Sequence, residues 1–178
     1  MSNAFHIRVI DPNSEIEIEL VAQRMRATLI EVEGEAAGIA LHSMEWLRAR
    51  VRWHLDGDAV AAKVFLAVDS SGEVIGHTIV RRELDAEGGE FGLVSTTYVV
   101  PYARRSGFAD ELLRTGDNWF RSQSLQRCET WTSSTNSKLI QLYAKHGYTQ
   151  TAKHAHGTTG TPMVRLGRWL STHADAEG

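Results

Sequence analysis

Residues 93–120 read LVSTTYVVPYARRSGFADELLRTGDNWF, and this stretch decides how the rest of the chain is read. Val94 to Val100 is an apolar, β-branched run that predicts a strand, and Pro101 ends it. An Arg-x-x-Gly-x-Ala sequence (Arg104, Gly107, Ala109) then opens an amphipathic helix. The first turn of a helix has N–H groups without intrahelical partners, and the helix dipole adds partial positive charge there. Arg104 and Arg105 raise the local potential further. Strand, small-residue loop and helix N-terminus together predict a grip for an anion such as a pyrophosphate.

At 178 residues the chain has room for one domain with a hydrophobic core, not for two. Its 42% apolar and 23% charged residues are ordinary for a globular protein. A net charge of -3 argues against a nucleic-acid binder, which needs a basic surplus or stripe. No apolar run reaches the length of a membrane span, and no charged-then-apolar leader pattern opens the chain, so a cytoplasmic enzyme or binding domain is expected. The single cysteine, Cys128, has no partner for an intrachain disulfide and reads as a strand core residue. No metal-binding or nucleotide-loop motif such as H-E-x-x-H, G-x-G-x-x-G or G-x-x-x-x-G-K-[ST] is present, and no metal is expected.

Working outward, Phe5 to Ile10 alternates as a short strand that stops at Asp11-Pro12. Ser14 with Glu17 makes a capping-box signature before a helix with Ile18, Val21, Met25, Leu29 and Val32 on one face. Gly34 and Gly38 are expected to loosen the chain after it. Ser43 caps a helix from Met44 to Leu55, with Trp46 and Trp53 on a second stripe. Lys63 to Val68, Val74 to Val80 and the opening strand form an antiparallel meander with short turns. Glu129 to Thr132 follows a helix and is expected parallel to the strand before it. Asn136 to His146 is a helix closed by Gly147, and Tyr148 to His156 pairs with Met163 to Leu170. The expectation is one α/β (α+β) domain over residues 1–170, a mixed central sheet of about six to seven strands flanked by about four helices. Residues 171–178 form a frayed polar tail.

In this order the chain resembles the GNAT superfamily of acyl-CoA-dependent N-acyltransferases. Two matches carry the resemblance, which covers residues 5 to 170. Arg104-Arg105-Ser106-Gly107-Phe108-Ala109, behind Val99-Val100-Pro101, fits the family's Q/R-x-x-G-x-G/A loop. Asn136 followed by Leu142-Tyr143-Ala144-Lys145-His146-Gly147-Tyr148 is similar to the family's Asn…LY-x-x-x-G-F/Y helix. The resemblance implies a GNAT-like fold and an N-acetyltransferase that moves an acetyl group from acetyl-CoA to a primary amine of a small molecule or peptide. The transfer it implies is direct attack in a ternary complex. Family members often pair, which leaves a homodimer open.

By the same resemblance, the N–H groups of Arg105, Ser106, Gly107, Phe108 and Ala109 contact the pyrophosphate, with Arg104 flanking. Thr97, Tyr98 and Val99 offer their backbone edge to the pantetheine arm, and one N–H polarises the thioester carbonyl as an oxyanion-hole donor does. Tyr143 protonates the leaving thiolate, or packs in the core. Asn136 bonds the pantetheine arm, or caps its helix. The family's base falls on Leu93, eleven residues before Arg104, which is no acid. Glu90 is the nearest carboxylate in sequence, and a hydroxyl–water relay through Ser95, Thr96 or Thr97 is the alternative. His154 and His156, and likewise Trp46 and Trp53, either wall the acceptor pocket or serve surface and packing roles. Glu31, Glu33, Glu35, Asp85, Glu87 and Glu90 either draw a cationic amine or form a solvated face. The missing base also supports a second reading, an acyl-CoA-binding regulatory or partner-binding domain without transfer.

Overall fold

Two serines start the first long helices where their sequence context puts them. Ser14 Oγ accepts the Glu17 N–H at 3.2 Å and opens α1 (Glu15–Glu33), and Ser43 Oγ accepts the Trp46 N–H at 3.0 Å and opens α3 (Met44–Leu55). The capping box closes on one side only. Glu17 turns to Arg8, which it meets through both carboxylate oxygens at 2.9 and 2.8 Å, and to the Asp11 N–H at 3.0 Å. A two-pronged arginine contact is stronger than one backbone bond, and it holds the Glu17 carboxyl below its ordinary range. The computed structural model describes residues 4–170, so the expected tail at 171–178 lies outside the described residues.

Between these helices the expectation of a loosened chain is corrected. Gly34 (φ 86) makes an elbow, and a further short helix, α2 (Glu35–Leu41), folds back on α1. A Cβ on Gly38 would stand 2.6 Å from the Ile30 backbone, so this glycine permits a close helix crossing.

The sheet has seven strands: β1 (His6–Val9), β2 (Ala62–Val68), β3 (Val74–Leu84), β4 (Glu90–Val99), β5 (Arg127–Ser133), β6 (Thr149–Ala155) and β7 (Pro162–Trp169). Their spatial order is β1-β2-β3-β4-β5-β7-β6, antiparallel except for β4–β5. The β3–β4 hairpin extends four residues beyond Val80 and begins β4 at Glu90, because backbone pairing continues past the apolar stretch into exposed, charged sequence. With α4 (Phe108–Ser122) and α5 (Ser137–Lys145), the described residues form a mixed α/β GNAT-like fold with five α-helices.

Alternation along β2 assigns the two faces. Phe65 and Ala67 join the core under α4 and α5, whereas Val64, Leu66 and Val68 join the core under α1 and α3. Across the first core, Asp117 of α4 meets Arg168 of β7 at 2.5 Å, a pair that locks helix to sheet inside a low-dielectric region.

Candidate active site

The central strands part company halfway. β4 and β5 stay in register only from Gly92↔Cys128 to Val94↔Thr130, while β4 continues alongside β3 as far as Gly76↔Val99. Two features open this fork. Ser95 is an extra residue in β4, since Ile79 faces Thr96 and Val80 faces Val94, and such a bulge bends the strand. From α5, Tyr143 is buried to 1% exposure with its phenol beside the Thr97 and Thr130 hydroxyls, one from each strand. Thr97 to Val99 therefore keep an edge without a strand partner on the β5 side.

That edge forms one wall of a cleft of about 540 Å³. Arg104, Arg105, Gly107, Phe108 and Ala109 close its end, and Asn136 with Leu139 lies across from the strand. Arg105 (φ 63) and Gly107 (φ 86) both adopt left-handed backbone, a pattern that turns successive N–H groups toward one point. From Arg105 to Asp110 no backbone N–H finds an acceptor within the described residues, and the first helical bond of α4 runs from Glu111 to Gly107 at 3.1 Å. A Cβ on Gly107 would meet nothing within 4 Å, so the loop faces open space. These donors fit a pyrophosphate.

Several expected site residues stand elsewhere or do other work. Ser106 is exposed on the loop and is not part of the cleft wall. Arg104 lies across the cleft end, donating from Nε to the Val99 carbonyl at 2.8 Å and from Nη2 to Glu31 at 2.6 Å. Asn136 caps α5, its Oδ1 accepting the Leu139 N–H at 3.2 Å. Tyr143 is absent from the cleft surface, and burial raises its phenol pKa against the lowering influence of Thr97 and Thr130. Cys128 is buried with its sulfur 3.1 Å from the Tyr148 hydroxyl, and burial pushes its thiol up to about 11. It stays a protonated core residue, as expected of a strand interior.

Glu90 does not reach the fork. It sits exposed at the start of β4, 3.8 Å from Arg82, and seven residues of strand put it roughly 20 Å from Thr97. The carboxylate level with Leu93 is Glu129, its register partner on β5 and 14% exposed, bonded to Arg127 at 2.8 Å. Sequence reasoning missed it because the two residues lie far apart along the chain and meet only through the parallel ladder.

A sequence profile of the acetyltransferase (GNAT) family matches residues 26–148. The chain belongs to this family. Among curated relatives, aminoglycoside N(6')-acetyltransferase type 1 of Klebsiella aerogenes is 30% identical over 95 residues, 52% of this chain and 62% of that protein. The chain thus matches less than two thirds of that relative's length. Similar solved structures include the NatC complex bound to Gag peptide and CoA (16% identical, TM-score 0.74, covering 94% of this chain and 99% of that one). A GNAT acetyltransferase of Streptococcus pneumoniae is 18% identical with a TM-score of 0.70, covering 94% and 100% of the two chains. The yncA protein of Salmonella typhimurium, solved with acetyl-CoA, is 14% identical with a TM-score of 0.69, covering 98% of each chain. At these identities the structures speak for the fold.

On the face of this GNAT sheet that carries α1 and α3, polar and aromatic groups gather beside the fork. Arg81 of β3 donates to Ser95 Oγ at 3.2 Å and reaches His54 Nε2 at 3.0 Å. His54 is buried, its Nδ1–H donates to the Arg50 carbonyl at 2.8 Å, and burial lowers its pKa to about 4, so the ring is neutral. That network assigns the tautomer. Trp131 and His154 meet edge to face at 6.3 Å further along the same side. No helix among the described residues is long and apolar enough to cross a membrane.

Proposed function

We propose that the chain transfers an acetyl group from acetyl-CoA to a primary amine of a small molecule or peptide, by direct attack in a ternary complex. The observation that carries this reading is the union, in one cleft, of the unpaired Thr97–Val99 edge with the row of unbonded N–H groups from Arg105 to Asp110. The edge pairs with the pantetheine amides, and the N–H row holds the pyrophosphate. Bound acetyl-CoA supplies an activated carbonyl and a thiolate leaving group. Gly107 keeps the loop free of side-chain obstruction, and Arg104 exchanges its Glu31 contact for the cofactor's phosphates.

In the transfer a bond forms from amine nitrogen to carbonyl carbon while the carbon–sulfur bond breaks. One proton goes to sulfur and one leaves nitrogen. Tyr143 supplies the first by way of the Thr97 hydroxyl, since Thr97 lines the cleft and Tyr143 does not: burial keeps the phenol protonated, and Thr97 passes a proton to sulfur as it takes one from Tyr143. Glu129 receives the second through solvent, standing level with the position where the family's base was expected. Cys128 takes no acyl group, because a buried, protonated thiol is not a nucleophile.

Release of free thiol from acetyl-CoA across a panel of amines, an aminoglycoside among them, tests the reading. The aminoglycoside enters because of the Klebsiella aerogenes relative. No release with any amine would instead favour the binding-domain reading, which the absence of an acid at Leu93 motivates. Tyr143→Phe is expected to lower kcat about 100-fold while leaving the acetyl-CoA Kd within about twofold. Equal losses in both would make the tyrosine a structural wedge. Glu129→Gln is expected to lower kcat by about 10- to 100-fold, whereas Glu90→Gln leaves it unchanged. The reverse ranking in steady-state kinetics would return the base to Glu90.

A further inference from the structure

On α3, Arg50 rests on aromatic rings and not on a carboxylate. Its guanidinium carbon is 4.1 Å from the Trp53 ring centre and 5.9 Å from that of Trp46, and no Asp or Glu oxygen lies within ion-pair distance among the described residues. Stacking occupies the faces of a guanidinium and leaves its edge N–H donors available, in the fork geometry that matches a carboxylate. The neighbouring charges do not cancel it. Glu83 is already bonded to Arg81 at 2.5 Å, and His54 between the two arginines is neutral. Two arginines, one glutamate and a neutral histidine leave a local surplus of one positive charge, and partial burial beside Arg81 lowers the Arg50 pKa.

This group adjoins the fork. Arg81 lies 5.6 Å from the Trp53 ring centre and donates to Ser95, the bulged residue two positions before Thr97. The cofactor cleft is lined by α4, α5 and, through Thr28, Glu31 and Val32, by α1. Arg50, Arg81 and Ser95 stand beside the fork outside that lining, so an acceptor held by Arg50 meets the thioester past Ser95 and not through the cofactor's own cleft. We propose that the acetyl acceptor is an amine that also carries a carboxylate, and that Arg50, on its Trp46–Trp53 platform, binds that carboxylate. The proposal rests on the acetyl-transfer reading above and names the class of its substrate. It also decides between the two roles open to Trp46 and Trp53 in favour of the acceptor wall, and it runs against a purely polycationic acceptor, which this surplus repels.

The test uses linear ω-amino acids from glycine to 6-aminohexanoate, their carboxamides, and a polyamine. Two readouts are taken: thiol release from acetyl-CoA, and calorimetric binding of the same compounds to the protein saturated with coenzyme A. For the best amino acid, kcat/KM and affinity are expected to exceed those of its carboxamide by about tenfold or more, and Arg50→Gln is expected to shrink that ratio to about twofold. Arg50→Lys, which keeps the charge without the fork, is expected to retain part of the ratio, and the acetyl-CoA KM serves as internal control. A carboxamide or the polyamine performing as well as the amino acid overturns the proposal, as does an equal loss for both compounds in Arg50→Gln. Arg50-dependent carboxylate binding without thiol release supports the carboxylate site and overturns the transfer reading instead.

Discussion

Replacing Gly107 by glutamate is expected to weaken acetyl-CoA binding by at least about 100-fold while leaving the fold intact. Space is not the reason, because a Cβ there touches nothing within 4 Å. Conformation contributes one part: Gly107 sits at φ 86 and ψ -2, and a residue with a Cβ in left-handed backbone costs about 1–2 kcal/mol. Charge contributes the larger part. A carboxylate at this position stands among the N–H groups of Arg105 to Asp110, which have no other acceptor in the described structure. It takes those donors for itself and repels the phosphates, at about 4 kcal/mol for unit charges 4 Å apart at an effective dielectric of 20. Gly107→Ala carries only the conformational part and is expected to lose about tenfold. Calorimetry with acetyl-CoA separates the two variants, and thermal melting checks the fold. Wild-type affinity in Gly107→Glu would remove the pyrophosphate from this loop.

Acidification is expected to destabilise the protein by about 4 kcal/mol between pH 7 and pH 5 through two histidines alone. His77 of β3 has no exposed surface and neither ring nitrogen has a partner, and burial, helped by the Arg24 charge, lowers its pKa to about 3. Burial lowers His54 to about 4. Both folded values lie below the ordinary 6.5, so the unfolded chain binds these protons first. Above pH 6.5 neither residue affects stability. Below it each costs about 1.4 kcal/mol per pH unit, until its folded pKa is reached. Other groups titrate in the same range, so the decisive measurement is a difference. His77→Phe is expected to recover about 2 kcal/mol of the loss at pH 5 relative to wild type, measured by urea unfolding at pH 7 and pH 5. The same substitution is expected to raise stability at pH 7 by about 1–3 kcal/mol, since it removes buried polar atoms without partners. Parallel pH dependence in wild type and variant would show that His77 finds a partner in solution.

Local sequence carried the starts of α1, α3 and α5, since Ser14, Ser43 and Asn136 each cap the helix that follows them. Caps act over three residues, which is why they are legible without a fold. The same holds for the loop from Arg104 to Ala109, whose conformation depends on the glycine it contains. Legibility ended where a contact spans the chain. Gly38 read as a chain breaker and proved to be a helix-crossing glycine, because its purpose is visible only with Ile30 beside it. The β3–β4 hairpin outran its apolar core because backbone pairing leaves no mark on side-chain polarity.

The sequence by itself determined the family, the order of the elements other than α2, and the loop that presents N–H groups at a helix start, all of them consequences of residue type and short-range spacing. Only the tertiary structure decided where the candidate residues of the acceptor half stand. It carried Glu90 away from the fork along an extended strand and set Glu129 level with Leu93 through a parallel register. It buried Tyr143 as a wedge between two strands, and it laid Arg50 on Trp53 next to Arg81 and Ser95. Such placements depend on register, strand divergence and helix docking, which a one-dimensional pattern of residues does not encode position by position.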